Sequence, residues 1–431
     1  MNDKAKYKIP PDYLFIFGIC VLLVVIAFVF ETPKVIFVNY LKINTSRSVL
    51  VTDYVAQAGL GAALLNAAIG GFFSLLLLVA NKKNPNGKII AALFVTIGFS
   101  LFGKNMFNTI PIILGVWLYG KISKIKFSEL LVHAMFSGTI GPLVSEIAFL
   151  NQSTTVPRLL AACFAGLLVG FIFPVITESA KRMHRGYCLY NSGIAGGLIA
   201  TFFVGLLRSV GIEIIPEDYY DTTHTLHLSL LSYAIAVAAI IYGLAGEKFS
   251  WVIKRFGELM NEKDVVENDY YSEYGHVCYV NIGIMCILST SLMLSLKIPI
   301  NGPVLGGILT VAGFGAAGKH FRNSFPILAG SVAGIHFNYI DSTHSLNSLA
   351  VLFSTGLAPV CSKHGWLWGV VTGFLHVSVA IFIGHLNGGL NLYNNGFAGG
   401  FVAITLVPII VFLKEIFHRT VSSGDVKEEA K

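Results

Sequence analysis

Charge is what this chain is short of. Only 12% of its 431 residues are charged while 55% are hydrophobic, and the mean hydropathy is +0.72. A soluble domain carries about twice that charged fraction, so the composition excludes an ordinary water-soluble fold. Metal-binding and redox signatures are missing as well. The six cysteines, Cys20, Cys163, Cys188, Cys278, Cys286 and Cys361, lie mostly in apolar segments without CxxC spacing and read as small core residues. There is no Walker loop, no HExxH and no nucleophile elbow, so the chain is expected to be no enzyme and to need no cofactor or metal. Basic residues outnumber acidic ones by 7, but they fall in short loops between apolar runs. That pattern is a topology signal and excludes a nucleic-acid footprint.

Apolar runs are what the chain has instead, and they read as an all-α integral membrane protein of about 14 membrane segments. The runs lie near 13–30, 56–80, 88–103, 106–120, 128–149, 157–177, 189–210 and 226–246, then 273–296, 300–317, 321–337, 346–361, 366–386 and 393–414. A span takes about 20 residues, so 88–103, 106–120 and their later counterparts are short and are expected to be broken or re-entrant. The run 13–30 follows a basic N-terminus and reads as a retained helix rather than a signal peptide. Lys4, Lys6 and Lys8, then Lys82, Lys83 and Lys88, Lys121, Lys124 and Lys126, Lys181, Arg182 and Arg185, and Lys248, Lys254 and Arg255 mark inside loops. The acidic loop 211–225 belongs outside, and both termini are expected in the cytoplasm of a cell bounded by an inner membrane. Lys34, Lys42 and Arg47 fit this scheme least well.

Motifs recur. GKNMFNTIPIILG at 103–115 returns as GKHFRNSFPILAG at 318–330, so that Lys104, Asn108 and Pro111 stand 215 residues before Lys319, Asn323 and Pro326. LYNSGIAGG at 189–197 matches LYNNGFAGG at 392–400, and FSGTIGPLVS at 136–145 matches FSTGLAPVCS at 353–362. Asp53, Tyr54 and Asn66 precede the first copy as Asp269, Tyr270 and Asn281 precede the second. The expected organisation is an N-terminal tail and extra helix (1–49), a first repeat (50–210), a linking helix and cytoplasmic connector (211–267), a second repeat (268–414) and a tail (415–431). The helix 226–246 supplies the odd crossing that inverts the second copy, giving two inverted-topology repeats, a plan common among secondary transporters.

In each opening motif, Pro111 or Pro326 favours the first turn of a helix, and Thr109 or Ser324 is suited to cap it. A break near 104–109 would leave a half-helix with free amides and a positive dipole end in the bilayer, beside Lys104 or Lys319 and Asn108 or Asn323. Against this stands a plain kink with lysines reaching to an interface. His320 and Arg322 make the second copy more cationic, which leans towards an anionic solute. Asn191 and Asn394 sit in small-residue runs that either pack helices or line a path. YYDTTHTL at 219–226 and YIDSTHSL at 339–346 also match. Asp221 with His224 and Asp341 with His344 either cap helices or form an outer vestibule.

The repeated GK-x3-N-x2-PI-x2-G and YN-x-G-x-AGG motifs resemble a bacterial family of multi-pass membrane proteins of unknown function, which implies an inner-membrane setting. A second similarity, to urea transporters, rests on Gly103, Phe107, Asn108 and Pro111 and on Gly318, Phe321, Asn323 and Pro326. It implies two inverted halves, each introducing a short pore helix. Lysine stands at 104 and 319 where that family has glutamine, and its paired asparagines next to proline are missing. The expectation is a secondary or facilitative transporter for a small polar or anionic solute bound between the two opening motifs, with or without a coupling ion. Its partners are the lipid bilayer and that solute; no nucleic acid is expected, and a homo-oligomer is compatible. The alternatives are a urea-like channel for a neutral solute and a membrane-embedded enzyme or scaffold subunit.

Overall fold

Within lipid a backbone must satisfy its own hydrogen bonds, and helix is the local way to do so. The computed structural model describes residues 7–49, 52–150, 153–214, 219–263, 269–337 and 345–428, which are helical without any multi-residue strand. The first ten helices are α1 (Pro11–Phe30), α2 (Pro33–Asn44), α3 (Tyr54–Ala58), α4 (Leu60–Ala80), α5 (Gly87–Phe99), α6 (Met106–Ile122), α7 (Phe127–Ser137), α8 (Gly141–Ala148), α9 (Val156–Met183) and α10 (Asn191–Ser209). The next ten are α11 (Thr225–Leu244), α12 (Phe249–Met260), α13 (Tyr270–Tyr274), α14 (Val277–Ser295), α15 (Gly302–Gly313), α16 (Phe321–Phe337), α17 (Ser345–Ser354), α18 (Ala358–His364), α19 (Trp366–Asn387) and α20 (Asn394–Glu428). Among the described residues, 9 helical stretches are long and apolar enough to cross a membrane. The expected count was higher because α5, α6, α15 and α16, at 13, 17, 12 and 17 residues, and the broken run α17–α18 read as segments of their own.

The element order from α11 repeats that from α1. α1 packs along α4, and α11 along α14; α6 packs on α9, and α16 on α19. α1 and α11, read in the sequence as additions outside the copies, are each 20 residues long. Hydropathy missed α2 and α12, which precede the short helices α3 and α13. In α12 Val252 and Leu259 are buried while Phe249, Trp251 and Ile253 are exposed, the pattern of a helix lying in an interface plane.

One face of the molecule gathers the basic loops. The hydroxyls of Tyr7 and Tyr13 donate to the Lys83 carbonyl, Tyr271 donates to Asp12, and the Gly87 N–H donates to Asp269. At the opposite face Arg47 pairs with Glu146 at 2.6 Å and the Lys42 ammonium donates to the Gln57 carbonyl. Two of the three cations that fitted the topology poorly, Arg47 and Lys42, are therefore neutralised or hydrogen-bonded where they lie.

α5 and α15 run antiparallel through the centre. Asn86 and Asn301 cap them, accepting from the amides of Ile89 and Val304 at 2.8 and 3.0 Å. Gly87 at the start of α5 meets Ala316 and Asp269, while Gly302 at the start of α15 meets Leu101 and Asp53. Midway, Gly98 and Gly306 touch backbone to backbone. The contacts are reciprocal, each residue meeting the partner of its own counterpart. A methyl group on Gly98 would come within 2.7 Å of the Gly306 carbonyl oxygen, which backbone cannot yield, so Gly98→Val should lower the thermal midpoint in detergent or prevent folding, at a cost of about 1–3 kcal/mol or more. Gly205 in α10 has nothing within 4 Å of such a methyl, and Gly205→Ala should leave the midpoint unchanged or slightly raised.

Candidate functional site

The two opening motifs form breaks between consecutive helices, at 100–105 and 314–320, and an asparagine from a neighbouring helix holds each. Asn66 on α4 donates through Nδ2 to the carbonyls of Ser100 and Lys104, at 2.7 and 2.8 Å. Asn281 on α14 donates likewise to Gly315 and Lys319, at 2.8 and 2.6 Å. Asn108 and Asn323 complete the turns, donating to the carbonyls of Gly103 and Gly318 and to the hydroxyls of Ser145 and Ser362.

The half-helix ends differ from the sequence expectation. α6 and α16 begin at Met106 and Phe321, so Pro111 and Pro326 lie inside them rather than in the first turn. The amide ends are occupied. Asn105 and Asn108 form a capping box, each side-chain oxygen accepting the other's N–H at 3.0 Å. His320 and Asn323 reproduce it, with Nδ1 of His320 as acceptor and its Nε2 facing the Glu262 carbonyl. Thr109 and Ser324 donate to the oxygens of Asn108 and Asn323. The cap residues Asn105 and His320 were overlooked, although an asparagine three residues into each helix was the available signal.

The lysines go elsewhere. Lys104 is 4% exposed and donates to the Thr96 hydroxyl and the Met135 carbonyl, at 3.2 and 3.1 Å. Lys319 is fully buried; it donates to Thr355 Oγ1 at 2.8 Å and to the Tyr190 hydroxyl, and lies over the rings of Tyr190 and Phe314. No carboxylate among the described residues pairs with either lysine. Arg322 is exposed and reaches Asn261, so its charge stays at the surface.

Six aromatic rings meet between the lysines. Tyr190 and Tyr393, from the two YN motifs, are 4.5 Å apart between centroids. Phe314 packs on Tyr190 at 4.9 Å and Phe99 on Tyr393 at 5.2 Å. Phe353 meets Phe99, and Phe136 meets Phe314. Backbone bonds frame the cluster reciprocally, Leu189 N–H to the Gly356 carbonyl and Leu392 N–H to that of Thr139, both 2.8 Å.

A cavity of about 270 Å³ reaches this cluster from the basic face, with Lys88, Lys181, Glu178 and His133 towards solvent and Tyr190, Phe136, Phe314 and Asn191 among its other walls. The side chain of Asn191 interacts there with the His184 ring, its buried Oδ1 making no close hydrogen bond. Asn394 is buried and accepts from Asn387 instead. The positions corresponding to Val132, His133, Asn191 and Ser192 are Leu349, Ala350, Asn394 and Asn395, all buried.

Asp221 and His224 form a local cap, Asp221 accepting from the His224 N–H and the Thr223 hydroxyl. The Asp221 N–H donates to Asp53. Asp341 and His344 lie outside the described residues. Burial pushes the Asp53 carboxyl up to about 7, against the amides it accepts from.

These features define a polytopic α-helical membrane protein in which a cavity of about 270 Å³ ends on an aromatic cluster. The chain belongs to the family described as "Protein of unknown function (DUF1576)", which matches residues 32–209 and 249–412. The two matched stretches begin beside α2 and at α12, and the gap between them contains α11. No curated protein and no solved structure matches the chain.

Two tests follow from the hydrogen bonds. Asn281→Leu strands two buried carbonyls, each costing about 1–3 kcal/mol, so its thermal midpoint should fall, and that of Asn66→Leu in parallel; an unchanged midpoint in both would contradict the role given to them. Because the folded-state pKa of Asp53 is raised, its contribution to stability is full at low pH and is lost as pH rises through about 7. Thermal melts from pH 4 to 8 should show wild type losing stability relative to Asp53→Asn across that window.

Proposed function

We propose that the protein is an inverted-repeat transporter for a small polar or anionic solute, which binds where the inner cavity meets the aromatic cluster. The observation that carries this is the cavity itself, which ends on Tyr190 and Tyr393, the residues at which the two copies of the YN motif touch. The recurring element order supports two units, α1–α10 and α11–α20. Counting α7 with α8 and α17 with α18, each unit then has seven membrane segments. An odd number inverts the second unit with no extra helix, in keeping with the antiparallel run of α5 and α15 and the reciprocal contacts at Gly87 and Gly302.

By the positive-inside rule the cavity's basic face is cytoplasmic. Inverted repeats in different local states give a molecule open on one side at a time, and the burial of Leu349, Ala350, Asn394 and Asn395 fits a molecule closed towards the outside. The reading assigns Asn191 to the solute, with Lys319 and Lys104 as the positive charges behind the path. Asn108, Thr109, Pro111, Asn323, Ser324 and Pro326 shape the breaks that carry those lysines.

Proteoliposomes loaded with lactate, succinate, inorganic phosphate, urea or glycerol, each alone, test this. At least one solute should cross faster than in empty liposomes, and Asn191→Leu should slow it by roughly tenfold, the effect of one lost polar contact and a narrowed cavity. Arg322→Gln should leave the flux unchanged. No protein-dependent flux of any of these solutes, or equal flux in Asn191→Leu, would overturn the reading.

A further inference from the structure

Lys319 and Lys104 are buried amino groups whose partners are hydroxyls, a carbonyl and aromatic faces. An ammonium at that depth without a counter-charge is costly, and the cost is relieved by giving up the proton or by acquiring an anion. The two lysines differ in their access to water. Tyr190 and Phe314, the rings under Lys319, line the inner cavity. Lys104 faces only a void of about 10 Å³, room for about one water, lined by Asn66, Thr96, Ser100 and Thr109.

Their bonding differs too. Lys319 donates to Tyr190, the tyrosine of the other motif copy, and lies near Cys188. The corresponding tyrosine, Tyr393, has its buried hydroxyl beside that of Tyr190 rather than a lysine, and Lys104 has turned to Thr96 and Met135 instead. Tyr190 and Cys188 from the entry to α10, with Tyr393 beyond Tyr190, are the titratable groups around Lys319. Thr355 and Phe314 close the remaining sides. His320 and Arg322, next along the chain, are bonded to Glu262 and Asn261.

We propose that the floor of the inner cavity is an anion site in which the charge of the bound solute is balanced by a proton taken up on Lys319, so that anion and proton cross together. This rests on the transport reading above and names its coupling ion. Solvent supplies the proton, Nζ passes from amine to ammonium, and the anion takes the place of the Tyr190 hydroxyl beside it. A hydroxyl is a suitable neighbour in both states, because it accepts from an ammonium and donates to an amine. On release to the other side the anion leaves, Lys319 returns its proton to solvent and Nζ passes back to amine.

The test adds lactate, succinate or inorganic phosphate, each alone, to purified protein in weakly buffered detergent with a pH-indicator dye. The result expected is an alkaline shift equal to about one proton taken up per anion bound, for at least one of the three. In Lys319→Arg, where the charge is permanent, the anion should bind with no shift; in Lys319→Met its affinity should fall roughly tenfold or more. Binding to the wild type without proton uptake overturns the coupling while leaving the transport reading standing, and does so even if neither variant folds. Protein-dependent flux of urea or glycerol with no binding of any of the three anions overturns the anion site and keeps transport of a neutral solute. An undiminished proton uptake in folded Lys319→Met removes Lys319 as the carrier.

Discussion

The fold depends on satisfying broken backbone far from water. Interrupting an apolar helix exposes carbonyls and amides, and in lipid each costs several kcal/mol if left unpaired. Asn66 and Asn281 accept that constraint from the side, each placing one amide group on two carbonyls of a break. Asn105 with Asn108, and His320 with Asn323, satisfy the opposite ends. Once the breaks are sealed in this way, the chain at 104 and 319 is free to carry a lysine inward. The polar residues of the opening motifs therefore divide into those that make an interruption tolerable and the lysines, whose charge the interruption positions.

Close approach is the second constraint. α5 and α15 touch at Gly98 and Gly306, and α10 and α20 at Gly193 and Gly396. With so little side chain between the backbones, the helices bring the six aromatic rings into one cluster, and that cluster separates the cavity from the buried counterparts of its walls. A closure of aromatic rings is suited to a moving barrier, since offset and edge-to-face packings lie close in energy. The two tyrosines, unlike the phenylalanines, also offer a hydroxyl, and only that of Tyr190 has a lysine beside it.

Much of this was legible in the sequence, for reasons specific to each element. Apolar runs located most long helices to within a few residues because bilayer thickness fixes their length, but α9 and α20 continue as helix beyond it, to Met183 and to Glu428 in what was expected to be a separate tail from 415. The paired motifs pointed to residues that prove to have matching partners, Asn108 with Ser145 and Asn323 with Ser362 among them. The interfacial helices α2 and α12 were missed, since half of their surface is polar and hydropathy averages it away. The similar packing of α1 on α4 and of α11 on α14 was not legible either, because the sequences of α1 and α11 share no motif. The cavity was illegible altogether. Its walls come from residues as far apart as Asn86 and Tyr393, and no spacing along the chain encodes that meeting.

The lysines show where sequence reading of charge has to yield to geometry. Counting cations made the second motif look the richer, through His320 and Arg322, yet the structure spends both near the connector at Asn261 and Glu262. What distinguishes the two motifs is instead the company of the shared lysine: aromatic faces and a tyrosine hydroxyl at the cavity floor in one, a sealed void in the other. Two chemically identical groups in two environments have two different protonation equilibria. On the transport reading proposed above, exchanging those environments between the halves would move a charge from one side of the barrier to the other.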